Sequence, residues 1–134
     1  MTTRFADAFY YIALLDSTDQ HHAKVRDRAA TAREQHVTTR WVLAEVADAL
    51  AAPHLRGAAR QLLQRLEADA DTCIVTPSDD LYRRGLLLYG ERSDKAWSLT
   101  DCISFAVMET RGLTESLTGD RHFHQAGFSA VFMD

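Results

Sequence analysis

The segment SLTDCISFAVM, residues 98–108, places one carboxylate, Asp101, at the head of a run that is otherwise almost entirely apolar. The spacing of the apolar side chains predicts a buried helix. A carboxylate at its start has two interpretations: it complements the positive end of the helix dipole, in an S-x-x-D pattern that resembles a capping box, or it is a metal ligand held at the rim of the core. We expect Ser98 or Thr100 to cap the helix, which would free Asp101 from that duty.

Length and composition predict one soluble globular domain, residues 1–134. The chain has 134 residues, of which 46% are hydrophobic and 25% charged, with only two prolines and six glycines,. No apolar stretch has the length of a membrane span, and Asp7 and Asp16 interrupt the apolar N-terminal region, so we predict neither a membrane segment nor a secretory signal. We therefore expect a cytoplasmic protein.

The charge balance does not identify a partner. The net charge of −4 opposes general attraction of nucleic acid, yet thirteen of the fifteen cations are Arg, whose planar guanidinium matches phosphate,. Cys73 and Cys102 each lie in an apolar run, and we expect two buried thiols and no disulfide.

Short apolar runs alternate with longer amphipathic ones, which predicts an α/β fold. We expect a central parallel sheet of four to five short strands with helices on both faces. One predicted strand ends near Asp7 and another lies at 36–39; TCIVTP (72–77) is predicted to be a buried strand, ESLTGD (115–120) a strand followed by a turn, and FSAVFMD (128–134) the last strand. One predicted helix follows Asp7, and a second covers 19–35. A third runs from residue 40 until Pro53 stops it, and the others lie in 57–69, 79–91 and the opening segment,.

Carboxylates follow the strands of this predicted sheet. Asp7 follows the first strand, Asp120 follows ESLTG, and Asp101 heads a helix. Ligands of open parallel sheets gather beyond the carboxyl ends of the strands and at adjoining helix N-termini, so we expect these side chains to lie together. Glu45, in WVLAEVADAL, borders an apolar helix face and is a fourth candidate,.

Taken singly, each acid has an ordinary explanation as a cap, a turn residue or a surface residue. Together they would repel one another unless they take up protons or share a cation. Oxygen ligands without histidine or thiolate suit Mg²⁺ or Mn²⁺, which indicates phosphodiester hydrolysis.

Several other residues attract a functional interpretation that we do not favour. His122 and His124 form an HxH pair, but no third zinc ligand has suitable spacing, so we expect solvent-facing or turn histidines,. Asp94 is expected to be a loop or capping residue. Arg40 and Arg121 adjoin predicted site residues and are weak candidates for holding RNA phosphate. The remaining candidates are aromatic residues expected in the core or a subunit interface more than in base stacking: Tyr10, Tyr11, Trp41 and Trp97,.

Four motifs, in order along nearly the whole chain, resemble the PIN domain and more narrowly the VapC-type toxins. They are FADAFYYIALL, the Glu of VLAEVADAL, SLTDCISFAVM and LTGDRHF. The resemblance implies a parallel-sheet nuclease that cuts single-stranded or loop RNA with Mg²⁺ or Mn²⁺. It implies Asp7, Glu45, Asp101 and Asp120 as the acidic quartet.

Within that quartet, the resemblance makes Asp7 and Asp101 the metal ligands and Glu45 and Asp120 supporting residues. Thr118 would steady the site by hydrogen bonding.

One departure stands out, because Ala8 occupies the position where the family usually has Thr or Ser. The alternative hypothesis is therefore a PIN-fold binding module with weak or absent catalysis. The resemblance also implies a homodimer and a VapB-type antitoxin that covers the site, often with an Arg among the carboxylates. A receiver domain or a phosphatase fits less well. A phosphatase of this kind needs a second Asp two residues after the first, and this chain has Phe9 there.

Overall fold

Five strands and seven helices alternate in the computed structural model, which describes every residue from Met1 to Asp134. In chain order the elements are β1 (Thr2–Ala6), α1 (Ala8–Leu15), α2 (His22–Thr31), β2 (Glu34–Thr39), α3 (Arg40–Ala49), α4 (Pro53–Ala68), β3 (Thr72–Val75), α5 (Asp79–Glu91), α6 (Leu99–Arg111), β4 (Glu115–Leu117), α7 (Arg121–Gln125) and β5 (Ser129–Ala130).

The strands form one sheet in the order β3-β2-β1-β4-β5, and every pair is parallel. The chain first adds strands on one side of β1 and then, after β3, returns to the other side with β4. The direction of winding therefore reverses between β1 and β4, which is the switch point where open parallel sheets bind their ligands. The predicted α/β class and parallel sheet are confirmed.

Helices cover both faces of the sheet, also as predicted. Because crossovers between parallel strands are right-handed in nearly all proteins, the reversal of winding after β3 puts α1–α4 on one face and α5–α7 on the other,. Accordingly α1 packs against α2 and α3, while α6 packs against α5 and α7. The central strand is enclosed between these layers, and Phe5 and Ala6 at its end are fully buried. None of the helices is both long enough and apolar enough to cross a membrane.

Helices α5 and α6 approach closely at Gly85. A Cβ atom at that position would lie 3.2 Å from both Cα and N of Ile103, closer than ordinary van der Waals contact. A residue without a side chain is therefore required for the two helices to pack at this distance. Ile103 is itself fully buried and belongs to the same helix as Asp101.

Several predicted boundaries are wrong. The helix expected over 19–35 covers only His22–Thr31, and Glu34 already belongs to β2. Pro53 does not merely stop a helix, since it occupies the first turn of α4, where its missing N–H costs nothing,. β3 is an edge strand with half-exposed side chains, so its Cys73 is exposed and only Cys102 is buried; both thiols are free.

A short helix was also missed. The sequence TGDRH predicts a turn, but Asp120 instead caps α7 by accepting a hydrogen bond from the backbone N–H of His122 at 2.9 Å. Phe123 anchors this helix in the core, with its ring centroid 4.9 Å from that of Phe105. A five-residue helix has too few residues to show periodicity, which is why its pattern is not visible in the sequence,.

The amino end of the sheet contains a buried ion cluster. The Glu34 carboxylate accepts hydrogen bonds from Arg4 at 2.8 Å and from Arg28 at 3.0 and 3.1 Å, and it lies 3.3 Å from His36 Nε2. Burial opposes ionisation of Glu34, but the bonds from Arg28 and His36 outweigh it and lower the pKa of the carboxyl group. A buried acid in this chain is thus paired with cations at one end of the sheet.

Candidate metal site at the carboxyl edge of the sheet

The register of β1 and β4 brings two parts of the site together. Phe5 pairs with Ser116 and Ala6 with Leu117, so the residues that follow, Asp7 and Thr118, leave the sheet side by side. The Thr118 hydroxyl donates a hydrogen bond to Asp7 Oδ2 at 2.9 Å. Asp7 is 6% exposed and Thr118 is fully buried, so this contact lies inside the protein.

Thr118 also links Asp7 to a second acid. Its hydroxyl oxygen accepts a hydrogen bond from the backbone N–H of Asp120 at 3.1 Å. Asp120 then uses one carboxylate oxygen, Oδ1, to accept the bond from His122 N. The other oxygen of Asp120 has no hydrogen-bond donor from the protein. The loop between β4 and α7 therefore holds Asp120 in a defined position beside Asp7.

Asp101 lies at the start of α6 and forms part of a capping box with Ser98. Ser98 Oγ accepts from Asp101 N at 3.0 Å, while Asp101 Oδ2 accepts from Ser98 N at 3.1 Å. The expectation that a neighbouring cap frees Asp101 from this duty is wrong, because its own carboxylate completes the cap. The two interpretations of the opening segment are nevertheless compatible, since Oδ1 of the same carboxylate has no protein donor.

Glu45 on α3 approaches the same edge from the other face. Its pKa is raised, first by partial burial and then by the charges of Asp101, Asp120 and Asp48. The effect of Asp101 and Asp120 shows that Glu45 shares their electrostatic environment. The four acids predicted from the sequence are thus gathered at one edge of the sheet from four separate parts of the chain.

Asp7 differs from the buried acid at the opposite end of the sheet. Burial raises the pKa of Asp7 to about 7; the bonds from Thr118 and from the Ala8 backbone oppose this rise, and the charges of Asp101 and Glu45 add to it. Glu34 is paired with two arginines, whereas no Lys or Arg forms an ion pair with Asp7, Glu45, Asp101 or Asp120. A buried group of carboxylates without a protein cation matches the donor set that Mg²⁺ or Mn²⁺ prefers.

His122 belongs to the site, and the expectation of a solvent-facing or turn histidine is wrong for it. Its Nδ1 lies 2.9 Å from Asp101 Oδ2 and 3.5 Å from Asp120 Oδ1. Ligand atoms of Asp101, Asp120 and His122 all lie within 4.8 Å of one another, a compact group that does not include Asp7. His124, by contrast, is exposed. The only sequence signal for His122 was its position two residues after Asp120.

The weaker candidates are exposed charged residues and aromatic residues. Arg40 is exposed and forms an ion pair with Glu67, while Arg121 is exposed beside Asp120. Asp94 pairs with Arg92 on the surface and is not part of the site. The aromatic residues expected in the core are buried in the case of Tyr10, Tyr11 and Trp97, and half-buried in the case of Trp41.

The order of the strands and the acids at the switch point define an α/β protein with a group of acids at the carboxyl edge of its parallel sheet. More narrowly, the chain belongs to the PIN domain family, whose model matches residues 5–129. The resemblance drawn from the sequence motifs is thereby confirmed. No curated protein sequence matches the chain.

Two solved structures share the fold of this chain. It is similar to Mycobacterium tuberculosis VapC20, described as a toxin that cleaves the sarcin–ricin loop, with a TM-score of 0.88 and 23% identity over 97% of this chain and 98% of that chain. It is also similar to a toxin–antitoxin complex from Klebsiella pneumoniae, with a TM-score of 0.62 and 19% identity over 88% and 87% of the two chains. At these identities the comparison establishes the shared fold.

Proposed function

We propose that this protein is a metal-dependent endoribonuclease that acts as the toxin of a VapBC-type toxin–antitoxin pair. The observation that carries the proposal is the group of four acids at the switch point, of which Asp7 and Asp101 are buried, with no Lys or Arg paired to any of the four. The PIN family match and the similarity to a toxin that cleaves the sarcin–ricin loop support the assignment.

The metal site would use the carboxylates according to their depth. Asp7 and Asp101 would hold the cation, Mg²⁺ or Mn²⁺, while Glu45 and Asp120 would orient its water ligands. When bound, such an ion lowers the pKa of a water molecule and neutralises the charge that develops on a phosphate. Thr118 holds Asp7 in place, and the capping box holds Asp101, so both carboxylates are positioned before the ion arrives.

The substrate would be unpaired RNA. Sequence-specific recognition of RNA targets single-stranded loops, whose bases are accessible, and a loop-cleaving toxin shares this fold,. Arg121 is exposed next to Asp120, whereas Arg40 forms an ion pair with Glu67. Arg121 is therefore the better placed of the two arginine candidates for a phosphate contact. We propose that the protein meets this RNA in the cytoplasm.

Cleavage of total RNA by the purified protein tests the proposal. We expect cleavage with Mg²⁺ or Mn²⁺, none in excess chelator, and a loss of at least about 100-fold in Asp101→Asn, because oriented metal contributes several kcal/mol to such reactions. Asp94→Asn is the matched control, since Asp94 is exposed and pairs only with surface residues. Full activity in Asp101→Asn would contradict the assignment.

The alternative, a PIN-fold binding module, depends on Ala8. Ala8 is 2% exposed and supplies no hydroxyl, but Thr118 already donates to Asp7. The two hypotheses are distinguished by adding Mn²⁺ during thermal unfolding. A metal that binds only the folded state raises the melting temperature, so a nuclease should be stabilised and a module with a decayed site should not.

The antitoxin is proposed to cover the acidic site with a basic segment. Carboxylates without a protein cation form a strong counter-surface for an Arg side chain. The product of a short reading frame upstream of the gene, if present, should bind the purified protein and inhibit its cleavage of RNA. Binding that leaves cleavage unchanged would contradict this mode of inhibition.

A homodimer through α5 is proposed from the exposed side chains of that helix. Of the six large apolar residues that are exposed, four lie on α5: Tyr82, Leu86, Leu87 and Tyr89. A two-fold pair of copies would let these side chains cover one another, since such an interface joins the same patch of both subunits. Light scattering should report a dimer in the wild type and a monomer in Leu86→Lys, whereas Gln61→Lys on α4 should remain dimeric.

A further inference from the structure

His122, like Thr118, is a side chain outside the predicted quartet that contacts two of its members, in this case Asp101 and Asp120. It is presented by α7, which Phe123 anchors in the core and Asp120 caps. The anchoring leaves the imidazole little freedom, and 21% of the side chain remains exposed. Its Nδ1 lies at hydrogen-bond distance, 2.9 Å, from Asp101 Oδ2,.

The contact determines which ring nitrogen carries the proton. An ionised carboxylate only accepts hydrogen bonds, so the nitrogen beside Asp101 must be a donor, Nδ1–H. A nitrogen that carries a proton has no free lone pair for a metal. The same histidine therefore cannot bind an ion through Nδ1 while it keeps its bond to Asp101.

The two donors to Asp101 converge on one oxygen. Ser98 N–H and His122 Nδ1 both contact Oδ2, at 3.1 and 2.9 Å, while Oδ1 has no partner in the protein. The Ser98 donor is a backbone group, which leaves His122 as the only side chain that orients this carboxylate. Rotation of the carboxylate would break both bonds, so the pair selects the orientation in which Oδ1 is free.

We infer that His122 is a positioning residue, whose Nδ1–H holds Asp101 so that Oδ1 is presented to the divalent cation. The inference rests on the proposed metal site, but it concerns the orientation of a ligand and not the cleavage of RNA. His122 would thus hold a metal-binding carboxylate in place without binding the ion itself, as hydrogen-bonded partners of metal ligands commonly do.

Two substitutions separate a donor from a ligand. His122→Asn retains an N–H group close to the position of Nδ1, whereas His122→Leu removes it while preserving an apolar side chain of moderate size. His124→Leu is the matched control, because His124 lies on the same short helix and is exposed. The affinity for Mn²⁺ is measured by calorimetry on each variant without RNA, and the free energy of unfolding by urea denaturation in chelator.

We expect the Mn²⁺ affinity of His122→Leu to fall by about 10-fold, the lower end of the range for lost outer-shell partners. His122→Asn should recover affinity to within about 3-fold of wild type, and His124→Leu should bind as the wild type does. Unchanged affinity in His122→Leu would overturn the inference. Equal loss in the Asn and Leu variants would also overturn it, because it would indicate that the imidazole itself is a ligand.

The calorimetric result is independent of the proposed activity. A wild-type protein that binds Mn²⁺ and shows the expected pattern, but cleaves no RNA, would contradict the ribonuclease proposal and leave the role of His122 standing. A wild-type protein that binds no Mn²⁺ would overturn the positioning role as well. If His122→Leu is too unstable to titrate, the comparison is made with His122→Gln, whose amide reaches the position of Nε2 and not that of Nδ1.

Discussion

The hydroxyl of Thr118 donates a hydrogen bond to Asp7 Oδ2 at 2.9 Å, although 111 residues separate the two in the chain. The same hydroxyl accepts the Asp120 backbone N–H at 3.1 Å. One buried side chain therefore joins the end of the central strand to the loop after its neighbour. The parallel register of β1 and β4 makes this contact possible, because it sets Asp7 and Thr118 beside each other.

Replacement of Thr118 by Val should weaken both folding and metal binding. The substitution keeps the shape of the side chain but removes a donor to Asp7 and an acceptor for Asp120 N–H, which costs about 1–3 kcal/mol of unfolding free energy when buried partners lose their bonds. Mn²⁺ affinity at pH 7 should also fall, since Asp7 without its donor holds its proton more tightly. Urea unfolding and calorimetry measure the two effects. Thr118→Ser should restore both; a Val variant equal to wild type would contradict the role.

The pH dependence of the metal-free protein should report Asp7. Its pKa is raised from the ordinary 3.8 to about 7, so the folded state holds a proton that the unfolded state releases. The resulting stabilisation is complete below pH 4 and is lost as the pH rises through 7. Between pH 5 and pH 8 the unfolding free energy should therefore fall by about 3 kcal/mol from this group.

Asp7→Asn should remove most of that pH dependence, because an amide does not ionise. At pH 8 the variant should be more stable than the wild type in chelator, and Mn²⁺ should stabilise the wild type but not the variant. Chemical denaturation at several pH values measures each curve. A wild-type slope that survives in Asp7→Asn would assign the effect to another group.

Glu34→Gln should be severely destabilising. The Glu34 side chain is 3% exposed and neutralises Arg4 and Arg28; after its replacement Arg4 keeps Glu115 as a partner, but Arg28, a quarter exposed, loses the carboxylate that it binds. We expect a loss of about 3–5 kcal/mol, as for other broken buried ion pairs. The control is Glu67→Gln, which breaks the exposed pair with Arg40 and should cost about 1 kcal/mol or less,. Similar losses in the two variants would contradict the distinction between buried and exposed pairs.

Gly85→Ala should destabilise the protein although alanine favours helices. Its methyl group would meet the backbone of Ile103 at 3.2 Å, so α5 and α6 would have to separate, at about 1–3 kcal/mol,. Gly90→Ala lies in the same helix with open space around it and should stabilise by about 0.5–1 kcal/mol,. Thermal unfolding of the two variants should shift in opposite directions. A stabilised Gly85→Ala variant would show that α5 and α6 have room for a methyl group at this position.

The fold could be predicted from the sequence where the local pattern is long. Helices with two or more turns have apolar residues at helical spacing, and the alternation of strand and helix is sufficient to predict a parallel sheet. The prediction failed for α7 and for the burial of β3. A five-residue helix has no measurable period, and whether a strand lies at the edge of the sheet depends on its neighbours.

Asp7, Asp101 and Asp120 could be predicted to lie at one edge of the sheet because each follows a strand or heads a helix, whereas Glu45 was a candidate because it borders an apolar helix face. His122 could not, since its contact with Asp101 spans 21 residues and depends on how α7 packs. The expectation that the Ser98 cap frees Asp101 was also wrong, because a sequence such as S-x-x-D shows which residues are able to form a capping box but not which oxygen accepts the bond. Both errors concern side-chain orientation, which the chain order does not specify.

By itself, the sequence determined the α/β class, because periodicity is a local property, and its motifs carried the resemblance to the PIN family and singled out the four acids that lie at one edge of the sheet. Only the tertiary structure decided that Asp7 is buried without a counter-charge while Glu34 is buried between two arginines. It also decided that His122 contacts Asp101 while His124 lies in solvent. These outcomes depend on strand register and helix packing, which set the distances between groups that lie far apart in the chain.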